Sequence, residues 1–408
     1  MTQAAAGRAV SFSRGRSTIT VIAGQAISSG SNFLVPLVAS LVLGVEEFSS
    51  FVVALSVGTV IAALVRAAVG LPLLARGDSP DLGDAVTAGV LVAVLAFPCM
   101  IALSLVGPGL FGDARWIGLA LPFALLQDVY RYVLLARCEV GQALVADVIW
   151  FVVQLLVGVV LLLALRPSAA VIALSWGAGA LVSLFYCVAR TGVAPRIGRP
   201  RGWVRAARGT SGWYFLVAGL GQSQLAIVIV LLGVLFEPVV AAGLRLVQML
   251  AVQPATVLAA GLSTLLVPRI AAAGWRGLPA VRDELRRSRR LVGLLTLAPL
   301  LLVPIAPLLL DTIFAKYREF SGLVLPLCLQ AALLLAATLP QSRLLAAERG
   351  PAMLGIQLID TTAMIGLSLG IGVLAGPVGV AWGFAASGVL RWLAYTLVAR
   401  TRNRSEHR

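Results

Sequence analysis

Charged residues are scarce in this sequence. Only 12% of its 408 residues are Asp, Glu, Lys or Arg, whereas 60% are hydrophobic and the mean hydropathy is +0.98. In water-soluble domains about a quarter of the residues are charged. This composition excludes an ordinary soluble globular fold, so we expect the outer surface of the protein to face lipid.

Histidine and cysteine are also scarce. The one histidine, His407, lies in the polar C-terminal tail, and the four cysteines are far apart without a Cys-x-x-Cys pair. These absences argue against histidine-dependent catalysis, a metal site and a disulfide framework. No nucleotide-binding loop pattern is present, which argues against direct ATP-driven transport. We therefore expect no catalytic residue, no metal and no cofactor, in a protein that is not an enzyme.

Long apolar runs occur along the whole chain. A helix that crosses a bilayer needs about 20 predominantly apolar residues. The sequence predicts twelve such helices, at 17–44, 49–75, 83–106, 115–136, 141–165, 169–190, 211–235, 239–268, 290–311, 321–344, 351–375 and 377–400. The expected fold is an all-α polytopic membrane protein.

The positive charge is distributed unevenly between the two ends of these helices. The net charge is +15, and most cations fall in the terminal tails and the even-numbered connections, including clusters at 190–208 and 269–290. The opposite side holds only Arg115, Arg166, Lys316 and Arg318. Because positively charged loops are retained in the cytoplasm, we predict a cell-membrane protein with both termini cytoplasmic. The cations then face membrane lipid and not nucleic acid.

The second half of the chain repeats features of the first half about 205 residues later. The segment LPFALLQ at 121–127 recurs as LPLCLQ at 325–330, and WGAGALVS at 176–183 recurs as WGFAASGV at 382–389. The repeat predicts two pseudo-symmetric six-helix bundles around a central cavity, because transporters often bind substrate between such halves. The predicted boundaries are an N-terminal lobe at 1–190, a basic cytoplasmic linker at 191–210 and a C-terminal lobe at 211–408.

Three segments, at 24–57, 311–350 and 376–387, resemble polysaccharide flippases of the multidrug/oligosaccharidyl-lipid/polysaccharide (MOP) exporter superfamily. The resemblance rests on the order and spacing of small apolar residues, as in GPVGVAWGFAAS at 376–387. It implies alternating access and a polyprenyl-diphosphate-linked oligosaccharide as the substrate, moved from the inner to the outer leaflet for surface polysaccharide assembly. The implied partners are this lipid-linked anionic glycan and the enzymes of polysaccharide assembly.

Two other functions remain open at this point. A multidrug or cation exporter of the same superfamily would need a carboxylate in the cavity for exchange with a cation. A membrane glycosyltransferase or sugar polymerase would need a large outer loop or an acidic site at an outer helix end, and the predicted outer connections are short.

Five charged residues inside the predicted spans can form ion pairs. Arg131 and Asp147 lie at matching depths on consecutive antiparallel spans, and so do Asp360 and Arg391. Because an unpaired charge in lipid is costly, we predict the pairs Arg131–Asp147 and Asp360–Arg391. Asp128 shares a helix face with Arg131 and completes the first cluster. These groups serve either structure or ion coupling.

Arg66 and Arg245 have no acidic partner in their own span or the next that compares with those of the two ion pairs, so they are candidate substrate-binding residues. With about 400 residues and twelve spans, the chain looks more like the repeat-unit flippases than the longer fourteen-span lipid II flippases, in which cations on spans one, two and eight hold the diphosphate. Here Arg66 lies on span two and Arg245 on span eight, while span one carries no cation. Guanidinium groups form bidentate hydrogen bonds with phosphate and keep their charge. The polar residues expected beside them in the cavity are Gln25, Asn32, Gln222 and Gln224.

Overall fold

The computed structural model describes residues 16–76, 82–196, 200–274, 278–347 and 349–405. The described chain is helical between short connections, and no β-strand occurs in it. This is the arrangement that lipid imposes, because a helix satisfies its own backbone hydrogen bonds where no water is present. The predicted all-α class is confirmed.

The first half contains eight α-helices. Their bounds are α1 Arg16–Val42, α2 Val45–Val65, α3 Leu71–Arg76, α4 Leu82–Val106, α5 Pro108–Phe111, α6 Ala114–Ala136, α7 Val140–Ala164 and α8 Ala169–Thr191. A π-helical turn, Arg66–Gly70, joins α2 to α3. The sequence predicted one uninterrupted span at 49–75, without this turn.

The second half contains six α-helices. Their bounds are α9 Pro200–Leu235, α10 Pro238–Gly274, α11 Leu278–Leu297, α12 Leu302–Thr312, α13 Val324–Ala346 and α14 Gly350–Ser405. Short 3-10 helices, Ala298–Leu301 and Ala315–Leu323, lie before α12 and before α13. Helix α9 begins inside the predicted linker at 191–210.

Helix α14 consists of two antiparallel arms. The backbone leaves helical geometry at Gly376, where φ is 66° and Pro377 follows. A Cβ atom at Gly383 would lie 2.4 Å from the Cα atom of Ser368, so the two arms run side by side in close contact. The described residues contain ten helical segments that are long and apolar enough to cross a membrane. Division of α14 at Gly376 and addition of α1 give the twelve spans that the sequence predicts.

The helices form two bundles. In the first half α6 packs against α4 and α8, and α7 packs against α8; in the second half α13 packs against α10 and α14, which also contacts α9. Helix α2 contacts α9 and α10, and α1 contacts α10, so these four helices join the two halves. The four cysteines are free, with Cys187 and Cys328 buried.

Candidate functional site in the central cavity

A cavity of about 620 Å³ lies between the two bundles. Its walls come from α1, α2, α6, α7 and α8 on one side and from α9, α10, α13 and α14 on the other. The lining mixes apolar side chains with many polar ones, which include several glutamines and the arginines Arg66, Arg245 and Arg391.

The predicted outer end of this cavity is closed by aromatic side chains. Phe48 and Phe51 at the start of α2 and Tyr317 in the second half have no exposed surface. The rings of Phe48 and Tyr317 meet edge to face, with their centroids 5.8 Å apart. Tight packing of this kind leaves no space for water or a ligand between these rings.

Four charged side chains form a continuous series in the first wall, the one that the first half of the protein supplies. The series begins at the cavity with Arg66 and Asp128. Arg66 Nε is 2.6 Å from Asp128 Oδ2, Asp128 Oδ1 is 3.8 Å from Arg131 Nη1, and Arg131 Nε is 2.9 Å from Asp147 Oδ2. Each cation therefore lies beside a carboxylate, which removes most of the cost of their burial. The predicted pair Arg131–Asp147 is present, and Asp128 joins it as expected.

The partner of Arg66 was missed by the sequence reasoning. Consecutive spans are antiparallel neighbours, so sequence order suggests partners only in the same span or the next one. Asp128 comes from α6, two spans further on. Arg66 does line the cavity, as expected, and its side chain is 45% exposed. Its charge is partly neutralised by Asp128, so it is a weaker anion site than the sequence indicated.

Arg66 is the first residue of the π-helical turn, and this turn is held by the second half of the protein. The indole Nε1 of Trp203, on α9, donates a hydrogen bond to the carbonyl oxygen of Ala68 at 3.1 Å. Within the same turn, a Cβ atom at Gly70 would lie 2.8 Å from the ring of Tyr132 on α6. A π-turn changes the direction of a helix and often marks a functional position.

The second wall contains a hydrogen-bonded cluster around Asp360. Arg391 Nη1 lies 3.3 Å from Asp360 Oδ2, so the second predicted ion pair is also present. Gln224 Nε2 donates to the same Asp360 oxygen at 3.4 Å. The Gln224 side-chain oxygen accepts from Thr361 Oγ1 at 3.0 Å and from Gln357 Nε2 at 3.3 Å. This network fixes both side chains of the ion pair.

Arg245 differs from the other cavity arginines. It lines the cavity from α10, and none of the described side chains forms a hydrogen bond or ion pair with it. Counting it with Arg66, Arg131 and Arg391 gives four positive charges, and Asp128, Asp147 and Asp360 give three negative charges. The described charges in and behind the cavity walls therefore leave an excess of one positive charge, located at Arg245.

The other predicted cavity residues are found as follows. Asn32, Gln222 and Gln224 line the cavity. Gln222 is exposed, whereas Gln224 is buried within the Asp360 cluster. The side chain of Gln25 lies outside the described residues, although its backbone belongs to α1.

Several lining residues were missed by sequence reasoning. Gln248 and Gln253 follow Arg245 at helical spacing on α10 and face the same cavity. Trp150 and Trp176 line the opposite wall, with ring centroids 6.2 Å apart. The spacing of Arg245 and the two glutamines could have revealed the α10 stripe. The sequence did not mark the two tryptophans as cavity residues. Their place in the repeat is no guide, since Trp382, the counterpart of Trp176, is 42% exposed and does not line the cavity.

Metal binding has no support in the described part of the chain. No group of three or more His, Cys, Asp or Glu side chains is placed there to hold an ion. The carboxylates of Asp128 and Asp147 are instead hydrogen bonded to guanidinium groups, and that of Asp360 forms an ion pair with Arg391.

Comparisons with known proteins identify the fold. No protein-family model matches the sequence, and no curated protein matches it either. Solved structures do match along nearly the whole chain. The eukaryotic MATE transporter AtDTX14 is 14% identical, with a TM-score of 0.72 over 94% of this chain and 95% of that one.

Two further structures agree with this match. An inward-facing multidrug resistance MATE family transporter of the MOP superfamily is 15% identical, with a TM-score of 0.69 over 93% of this chain and 95% of that one. A MOP superfamily transporter from Pyrococcus furiosus, described as having a binding pocket of reverse polarity, is 14% identical, with a TM-score of 0.67 over 96% and 95% of the two chains. The protein therefore has the fold of the MATE transporters, with its two pseudo-symmetric helical bundles.

Proposed function

We propose that the protein is an alternating-access exporter of amphipathic organic molecules that carry a negatively charged group. The observation that carries this proposal is the position of Arg245, a cation without a described partner in the cavity between two bundles. A buried cation in a membrane protein costs about 2.5–3.5 kcal/mol on insertion scales. An anionic ligand would offset this cost, because it would supply the missing partner.

Support for a transport cycle comes from the fold. The cavity lies between two bundles, is closed by aromatic packing at its predicted outer end, and includes Ser263 and Gln341 towards the other end. Solved proteins with this fold are transporters, one of them in an inward-facing conformation. A rocking movement of one bundle against the other would open the closed end and close the open one.

The charges in the walls support an anionic over a cationic substrate. A cation would bind best beside a free carboxylate, but Asp128 is hydrogen bonded to Arg66 and Asp360 forms an ion pair with Arg391. To reach either carboxylate, a cationic ligand would have to displace a guanidinium group and then lie close to it. An anion meets no such competition at Arg245.

Two classes of anionic substrate remain, and different observations favour them. Small amphipathic molecules are favoured by the structural comparisons, which include multidrug MATE transporters. A lipid-linked diphosphate oligosaccharide is favoured by the flippase-like segments at 24–57, 311–350 and 376–387. We place the small amphipathic anion first, because the similarity of fold extends over nearly the whole chain.

Flux measurements on reconstituted protein test the proposal. Proteoliposomes would be loaded with carboxyfluorescein, with ethidium, or with a fluorescent polyprenyl-diphosphate sugar in the inner leaflet. We expect faster movement of an anionic probe than in empty liposomes and no acceleration of ethidium. Movement of the lipid-linked probe alone would identify a flippase. Transport of ethidium without transport of either anion would contradict the proposal.

A further inference from the structure

The ion pair between Arg66 and Asp128 is unequal. The side chain of Arg66 is 45% exposed and that of Asp128 only 11%, although Nε and Oδ2 are 2.6 Å apart. A guanidinium group has five N–H donors. Arg66 donates to Asp128 through Nε, and its two terminal nitrogens form no hydrogen bond with the described residues. The terminal N–H groups of Arg66 can therefore donate hydrogen bonds to a ligand in the cavity, while Nε stays bonded to Asp128.

Asp128 can release Arg66 at low cost. Its second oxygen, Oδ1, already lies 3.8 Å from Nη1 of Arg131, so Asp128 keeps a cationic neighbour when Arg66 departs. Asp360 differs in this respect, because Arg391 is its one cationic partner among the described residues. Of the ion pairs in the two walls, Arg66–Asp128 is thus the one that can open without leaving a carboxylate alone.

We propose that Asp128 is a specificity-determining residue that competes with the anionic group of the substrate for Arg66. This inference rests on the proposed function. An arriving phosphate, sulfonate or carboxylate draws Arg66 from Asp128, and Asp128 keeps Arg131, which it shares with Asp147, as its cationic neighbour. When the ligand leaves, Asp128 recaptures Arg66. The competition lowers the affinity of the cavity for anions, and a transporter needs such a limit because its substrate must leave as readily as it enters.

Substitution of Asp128→Asn tests the competition. The neutral amide keeps the shape of the side chain but no longer attracts the charge of Arg66. We expect the affinity for carboxyfluorescein, measured by fluorescence anisotropy on the purified protein, to rise about tenfold, as the loss of one charge-assisted contact of about 1.4 kcal/mol allows. The additional change Arg66→Gln should abolish this gain, which a double-mutant cycle measures directly.

Asp311→Asn is the matched control. It removes the same charge, but Asp311 pairs with Arg318 and does not line the cavity. We expect its affinity for the anion to stay within about twofold of that of the wild type. An uncharged fluorescent probe should bind to all of these variants equally. An unchanged or lower anion affinity in Asp128→Asn would overturn the inference.

A second comparison covers the case in which Asp128→Asn does not fold. Arg66→Gln removes only the exposed partner and leaves Asp128 beside Arg131, in a cluster of one arginine and two carboxylates. Because Arg66 already has a competing partner, this change should reduce anion affinity less than Arg245→Gln does. The opposite order would overturn the inference. If the wild-type protein binds no anionic probe, the proposed function itself fails, and the two failures remain distinguishable.

Discussion

The ammonium group of Lys316 donates a hydrogen bond to the carbonyl oxygen of Leu43 at 2.5 Å and lies 3.5 Å from the carbonyl oxygen of Leu41. Lys316 belongs to the second half of the chain, and the two carbonyls belong to the C-terminal end of α1 in the first half. The last carbonyls of a helix lack intrahelical partners and carry partial negative charge. This contact therefore joins the two bundles at the closed end of the cavity.

Lys316→Met should shift the protein towards a conformation that is open at this end. A hydrogen bond from a charged donor contributes about 1.5–3 kcal/mol, so the open population should rise at least tenfold. The measurement is the rate at which a membrane-impermeant thiol reagent, added on the Lys316 side, modifies a cysteine placed at Leu55 in the cavity wall. Arg318→Met, in the same connection, pairs with Asp311 and should leave the rate unchanged. Equal rates in both variants would refute the role of Lys316.

Asp147→Asn should lower the stability of the protein substantially. Asp147 is 2% exposed and lies 2.9 Å from Arg131, so its replacement leaves a buried guanidinium with its more distant partner Asp128. Removal of one member of a buried ion pair typically costs about 3–5 kcal/mol. Thermal unfolding in detergent measures the effect. The exposed pair Arg318–Asp311 supplies the control, because such pairs contribute about 0–1 kcal/mol; a similar loss for Asp311→Asn would contradict this account.

Gly179→Ala should destabilise the first bundle. A Cβ atom at this position would lie 2.7 Å from both the Cδ1 atom and the backbone oxygen of Trp150, so α7 and α8 would have to move apart. Overpacking of this kind costs about 1–3 kcal/mol. Gly261, within α10, has no atom of another described element within 4 Å of its Cβ position, and Gly261→Ala should raise stability slightly. The midpoints of thermal unfolding should therefore change in opposite directions, and an unchanged midpoint for Gly179→Ala would refute the close contact.

Trp203→Phe should slow transport more than it weakens binding. The substitution keeps an aromatic ring but removes the N–H donor that holds the carbonyl of Ala68 in the π-turn. The contact between α9 and the π-helical turn that begins at Arg66 is then weaker. The hydrogen-bond donors of Arg66 and Arg245 stay in the cavity. Flux and anion affinity would be measured on the same preparation, with Trp213→Phe, an exposed position on α9, as the control. A parallel loss of affinity and flux would argue against this mechanical role.

The architecture was predictable from sequence because lipid leaves few alternatives. Runs of about 20 apolar residues can only become helices in a bilayer. Repetition of the LPFALLQ and WGAGALVS segments indicated two similar halves. The ion pairs Arg131–Asp147 and Asp360–Arg391 followed from depth alone, because consecutive spans are antiparallel neighbours. These are relationships between adjacent helices, and sequence order determines them.

Relationships between distant helices were not predictable in this way. Asp128 reaches Arg66 because α6 packs beside the end of α2, and Lys316 reaches Leu43 across the two bundles. Pro72 lacks the N–H that would bond to the carbonyl of Ala68 in a regular helix, but nothing in the sequence pairs this carbonyl with Trp203, which lies 135 residues further along the chain. Such contacts depend on three-dimensional packing, which hydropathy and depth do not encode.

The central claim is that Arg245 holds an anionic group in the cavity, and its substitution tests this most directly. Anion affinity of the purified protein would be measured for Arg245→Gln, Arg245→Lys and Arg166→Gln, the last in an exposed loop. We predict a loss of about tenfold to a hundredfold for Arg245→Gln, as expected for a charge-assisted hydrogen bond. Arg245→Lys should lose less, and Arg166→Gln should equal the wild type. Undiminished anion binding in Arg245→Gln would contradict the claim.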